Sequence, residues 1–169
     1  MRASLLVISL MLFSSLGHAH ARLKANPAIK IRSTSDGIKT GPCGGLPRSA
    51  TPAVLTAGQT VTVEWEETIY HPGQFEIYFS AANDQNFSLL KTIPQDQNNQ
   101  NLPHQFSTTI TLPNVACQAC TLQLIQVMLE NPNVPTYYYS CADMQLTASS
   151  TTITTPTPAP TPAQNCPAP

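Results

Sequence analysis

Apolar and polar residues alternate over much of the chain between residues 60 and 146. In TVTVEW (60–65), Val61, Val63 and Trp65 fall on one face. In FEIYFS (75–80), Phe75, Ile77 and Phe79 do the same. A period of two is the signature of a strand with one buried face. STTITL (107–112), TLQLIQVML (121–129) and YYYSCADMQL (137–146) read as further strands. The last two flank the short Pro-containing turn NPNVP and predict an antiparallel pair. The other connections, such as PQDQNNQNLP, are rich in Pro, Asn and Gln. No long stretch carries the 3.6-residue period of an amphipathic helix. Short strands separated by turn signals in a chain of this length predict an all-β fold built as a two-sheet sandwich.

Both ends depart from this pattern. Residues 1–19 read as a secretory signal: Arg2 gives the positive start, Leu5 to Leu16 an apolar core, and small residues follow. The apolar segment is too short to span a bilayer as a mature helix. Cleavage after Ala19 leaves His20 as the new N-terminus; cleavage after Ala21 leaves Arg22. Residues 148–169 belong to a Pro- and Thr-rich tail, TASSTTITTPTPAPTPAQNCPAP from residue 147 on. It lacks apolar periodicity and is expected to stay extended and solvated. No hydrophobic segment ends it, so no membrane anchor is implied. The expected organisation is a signal at 1–19, a sandwich domain at 20–147 and a tail at 148–169. The expected location is secreted or periplasmic.

Charge narrows the partners. Eight Lys and Arg stand against nine Asp and Glu, so no field for binding nucleic acid is expected. Five cysteines in an exported chain read first as disulfides. Cys43, Cys117, Cys120 and Cys141 suggest two bridges among three pairings; Cys166 is left over in the tail. Cys117 and Cys120 form a CxxC, but no second pair or histidine pair completes a zinc site. Asn86-Phe87-Ser88 is a glycosylation sequon.

Few residues offer chemistry. Neither G-x-S-x-G nor H-E-x-x-H occurs. Glu64, Glu66, Glu67 and Glu76 cluster around Trp65 and the next strand, and read mostly as surface. Three histidines remain after processing: His20, His71 and His104. A terminal His20 offers two nitrogens, its α-amine and its ring Nδ1. The amine ionises near pH 7.7 to 8.0, so a metal displaces its proton near neutrality. A further imidazole makes three nitrogens, a set that suits Cu(II) with one position open. His71, in the turn YHPGQF, is the natural third donor, with Pro72 and Gly73 fixing the turn. His104, in NLPHQF, is the second choice.

These pieces resemble the lytic polysaccharide monooxygenases and their copper-binding relatives, whose site is called the histidine brace. The matching segments are HAHARL at the export junction, GPCGG (41–45), VEWEETIYHPGQFEIYFS (63–80), CQACTLQLIQVM (117–128) and YYYSCADM (137–144). The resemblance is strongest to small bacterial polysaccharide monooxygenase-like proteins. It implies an immunoglobulin-like or fibronectin-like sandwich holding one copper through His20 and His71. It also implies an axial residue, either Tyr138 or Asp143, and a supporting hydrogen-bonder at Gln126. The implied activity is oxidation of C1 or C4 in a β-1,4-linked chitin- or cellulose-type polysaccharide by a monomer fed by an external electron donor. A copper-binding or delivery protein on the same scaffold is the alternative. A metal-free glycan-binding or adhesion module is the second alternative. This chain departs from the family in having few loop aromatics to pave a flat polysaccharide-binding face.

Overall fold

The computed structural model describes residues 20–34, 38–95 and 101–149. The signal at 1–19, residues 150–169 of the tail and Cys166 lie outside the described residues. Among those described there are nine strands and no helix. They are β1 (Ala21–Leu23), β2 (Lys30–Ile31), β3 (Ala53–Thr56), β4 (Thr60–Glu67), β5 (Gly73–Ser80), β6 (Ser88–Pro94), β7 (His104–Thr111), β8 (Cys117–Met128) and β9 (Thr136–Thr147). Among the described residues no helix is long and apolar enough to cross a membrane.

The strands form an immunoglobulin-like sandwich. One sheet has the order β1-β4-β7; the other runs β2-β9-β8-β5-β6, with β3 pairing parallel to β9. The alternation in the sequence sets which side faces inward. Val61, Val63 and Trp65 of β4 meet Phe75, Ile77 and Phe79 of β5 in one core cluster. Trp65 is fully buried. It stacks on Phe106 of the same sheet at 5.2 Å and meets Phe75 of the opposite sheet edge-on at 5.4 Å. Such offset and edge contacts are the favoured aromatic geometries. The predicted antiparallel pair exists as β8 and β9, which share a register from Met128↔Thr136 to Cys120↔Met144.

Two disulfides resolve the open pairing. Cys43 joins Cys141, closing a loop across 98 residues, and Cys117 joins Cys120. The second bridge sits where the β8–β9 register shifts, so the CxxC marks a strand irregularity. Asn86 is exposed and has a positive φ of 52°, a conformation Asn tolerates in turns.

A buried ion network lies far along the β8–β9 ladder. Asp143 is fully buried. It accepts from Arg32 Nε at 2.9 Å and Arg32 Nη2 at 2.7 Å, and from the Ser49 backbone amide at 2.7 Å. Arg48 Nη2 lies 2.9 Å from it. Arg32 also donates to both oxygens of Asp84, at 2.7 and 2.6 Å. Burial alone would raise the Asp84 carboxyl. Hydrogen bonds from Arg32 and Thr121, together with the Arg32 and Arg48 charges, outweigh it and hold Asp84 below the usual carboxylate range.

Removing one member of a buried pair leaves an uncompensated charge. Arg32→Ala is therefore expected to destabilise the protein by about 3 kcal/mol, since Arg48 keeps partial contact with Asp143; urea unfolding measures it. A carboxylate with a depressed folded-state pKa contributes stability above its unfolded value and loses it as the pH falls through the folded value. The wild-type unfolding midpoint should thus drop on acidification below about pH 4, and the drop should be smaller in Asp84→Asn.

Candidate metal centre

Four chain segments converge at one end of the sandwich. His20 immediately precedes β1, and its carbonyl accepts from the Thr68 amide at 2.9 Å. The next residue, Ala21, pairs with Glu67 at the end of β4. Leu23 ties β1 to the opposite sheet by donating its amide to Ser140 Oγ at 3.1 Å. His71 sits in the turn between β4 and β5. The Leu129 amide donates to the Pro72 carbonyl at 2.7 Å, which holds that turn against the end of β8.

Gly73 makes this docking feasible. Its φ is +156°, and a Cβ added there would lie 1.9 Å from the Val127 carbonyl oxygen. No side chain fits, so glycine is required for the β5 start to reach β8 in the register Gly73↔Met128. Sequence reasoning placed Gly73 in a tight turn; the structure gives close backbone approach as the reason.

The histidine rings meet. Their centroids lie 4.9 Å apart with planes 7° from parallel. His20 is buried, and its other face is covered by Tyr138, with centroids 3.6 Å apart. Lys39 Nζ lies 5.3 Å from the centre of the Tyr138 ring. His71 donates from Nδ1 to Glu130 Oε1. This leaves His71 Nε2, which is buried and has no hydrogen-bond partner. An imidazole held by a carboxylate at one nitrogen, with the other nitrogen buried and unpaired, is a ready metal ligand. The donor chemistry therefore fits copper. Partial burial pulls the Glu130 carboxyl up. Hydrogen bonds from its own backbone and from His71 outweigh it and hold it below the usual carboxylate range.

Beneath the histidines lies a buried polar layer. Glu67 is fully buried, against the expectation that it is surface. Gln126 Nε2 and Gln95 Nε2 donate to its Oε1, the former at 2.7 Å. His104 Nδ1 donates to its Oε2 at 2.9 Å. Gln126 is fully buried and pairs across the ladder with Tyr138. The Glu67 position was readable in the alternation, since it continues the inward face of Val61, Val63 and Trp65.

The structure thus brings His20, His71 and Tyr138 together and sets Gln126 behind Tyr138. Two candidates lie elsewhere. Asp143 is five residues along β9 from Tyr138, about 16 Å at strand rise and on the opposite face. Both of its oxygens are held by Arg32, and it is not available to a metal at the histidines. His104 faces Glu67 in the layer below. Among the described residues no three His, Cys, Asp or Glu side chains group as a metal site, so His104 does not join the pair. Sequence reasoning missed Glu130 and Lys39; neither stands in a pattern that marks it.

A family model described as lytic polysaccharide mono-oxygenase, cellulose-degrading, matches residues 21–144. No curated protein matches the chain. Among solved structures, the chain is similar to a cellulose-active polysaccharide monooxygenase from M. thermophila, with 15% identity and a TM-score of 0.49. The match covers 67% of this chain and spans 62% of that one.

Two substitutions probe the site. Gly73→Ala should destabilise the fold by more than about 1 kcal/mol and weaken metal binding by displacing the His71 turn; thermal unfolding and copper titration report both. Glu130→Ala should leave the fold intact and weaken copper binding about 10–100-fold, measured by competition with a chelator.

Proposed function

Because the chain belongs to the lytic polysaccharide mono-oxygenase family, we propose that it is a secreted, copper-dependent monooxygenase of a β-1,4-linked polysaccharide. The observation that carries this reading is the facing pair of imidazoles, His20 and His71, with His71 Nε2 buried and unpaired. In this reading the export peptidase cuts after Ala19. His20 then supplies its amine and ring nitrogen, and His71 supplies Nε2.

Copper held there supplies one-electron redox chemistry with O₂ or H₂O₂. The overall conversion takes a sugar C–H to C–OH. With O₂ it consumes two electrons and two protons from an external reductant and releases water; with H₂O₂ it releases water directly. The hydroxylated C1 or C4 then expels the glycosidic oxygen, which leaves with a proton as an alcohol, and the chain breaks.

The protein's residues prepare this step. Glu130 fixes the His71 tautomer, keeping the proton on Nδ1 and Nε2 free to bind. Tyr138 packs against the His20 ring and would neighbour a copper held there. Gln126 is fully buried, donates from Nε2 to Glu67 Oε1 and keeps its own Oε1 without a hydrogen-bond partner. It braces the floor on which Tyr138 rests. The network of Glu67, Gln95, Gln126 and His104 holds that floor in one arrangement.

One observation favours a second reading, copper carriage without turnover. The Tyr138 ring covers the His20 face at 3.6 Å, which restricts approach from that side.

The test begins with mass analysis of the secreted protein, which should start at His20. Copper should then bind at one equivalent, and His71→Ala should abolish tight binding. With reductant and oxidant, the loaded protein should release oxidised oligosaccharides from cellulose or chitin. A mature chain starting at Arg22 would overturn the copper site. Tight copper binding with no oxidised product from any β-1,4 polymer would favour carriage.

A further inference from the structure

A cavity of about 340 Å³ opens beside the histidine pair, lined by Lys39, Met128, Pro135, Thr136, Tyr137 and Tyr138. We propose that this cavity seats one or two pyranose rings of a single β-1,4-linked glycan chain, so that the protein acts on separated chains and not on the face of a crystalline fibre. The inference rests on the proposed function for its location and names the physical form of that function's substrate.

Position is the first argument. Tyr138 forms a wall of the cavity and also stacks on His20. Met128 pairs with Gly73 on one side and Thr136 on the other. The cavity floor is therefore continuous with the turn that carries His71. A ring seated here lies next to the two imidazoles.

Chemistry is the second. A pyranose presents apolar C–H faces and a rim of hydroxyls. Met128 and Pro135 supply apolar surface. Thr136 and Tyr137 supply hydroxyls, and Lys39 supplies an ammonium donor. Tyr137, 41% exposed, is the most solvent-accessible aromatic of the lining. Among the described lining residues, Lys39 is the one basic or acidic side chain. Its ammonium is placed over the Tyr138 ring at 5.3 Å, which fixes a donor at the rim. A few polar groups around an apolar floor is the usual make-up of a small-ligand site.

Size and surroundings are the third. The volume sits at the small end of the range for ligand pockets, roughly 300–1,000 Å³, which suits a ring or two and not a polymer face. Among the described residues, Tyr137 is the one aromatic among the strongly exposed large hydrophobic side chains. Of the aliphatic ones, Val134 stands three residues before it at 63% exposure, in the turn that leads into the cavity wall. The exposed apolar surface near the histidines thus gathers at the cavity and does not spread into a platform.

The experiment titrates the mature protein with cellohexaose and with chitohexaose by calorimetry, and measures its retention on microcrystalline cellulose and on β-chitin. Saturable binding of at least one hexaose, with weak retention on both solids, is expected. Tyr137→Ala should weaken hexaose binding about tenfold, equivalent to about 1.4 kcal/mol, while Tyr137→Phe keeps most of it. Copper affinity should be unchanged in both variants, which also shows that they fold. Hexaose binding indifferent to Tyr137→Ala, or retention on the solids without hexaose binding, would overturn the proposal. Copper titration is read separately, so failure of the metal site and failure of the cavity are distinguishable.

Discussion

The antiparallel ladder of β8 and β9 is the constraint on which the rest of the molecule depends. Its register, from Met128↔Thr136 to Cys120↔Met144, assigns each functional group its place. At one end, Tyr138 lies opposite Gln126, and Met128 receives Gly73 and with it the His71 turn. At the other, Asp143 lies opposite Thr121, where Arg32 and Arg48 gather. A slip of one residue would turn every side chain on a strand to the other face. It would bury Tyr139 in place of Tyr138 and remove the histidines' neighbour. The Cys43–Cys141 bridge joins the segment before β3 to the middle of this ladder, which resists such a slip.

Three acidic residues show how environment divides one kind of group among different tasks. Asp143 and Glu67 are both fully buried, and neither is tolerable without partners. Asp143 is matched by two guanidinium groups and a backbone amide, a charged network that fastens loop segments to the ladder. Glu67 is matched by two amides and an imidazole, with no arginine. That set makes a rigid polar floor. Glu130 is 48% exposed and has a single specific partner, His71. Its work is to orient a ring, and it can do so in contact with water because a charge-assisted hydrogen bond is directional even where it adds little stability.

Legibility in the sequence followed the physics of each element. The five strands read from the sequence are the long ones; β4, β5 and β7 alternate because one face is buried, whereas β8 and β9 are buried on both faces over much of their length and read as apolar, β-rich runs. β1, β2 and β3 have two to four residues, too few for a period to emerge. β6 has no fully buried position, and as an edge strand it carries no core pattern. The meeting of His20 and His71 was anticipated from local features, a candidate export junction and a turn. Asp143 misled because its fate is set by Arg32, 111 residues away, and nothing in a single sequence reports that pairing. Glu67 was written into the alternation, but a carboxylate at an inward position reads as an exception until its partners from β6–β7 and β8 are seen.

His20 hangs on a short support. β1 makes three cross-strand pairs with β4, and short terminal strands fray. Three features offset this. Ala21 and Leu23 are buried in the core, Ser140 captures the Leu23 amide from the opposite sheet, and Thr68 donates to the His20 carbonyl. The last two fasten β1 to both sheets at once, so His20 is held like an interior residue. Whatever binds both imidazoles closes the remaining gap, because it links β1 to the β4–β5 turn through groups that are far apart in the unfolded chain. Such a ligand binds the folded state alone, and its binding free energy adds to the stability of β1. The position that chemistry most needs to be rigid is thus the one where occupancy contributes most to rigidity.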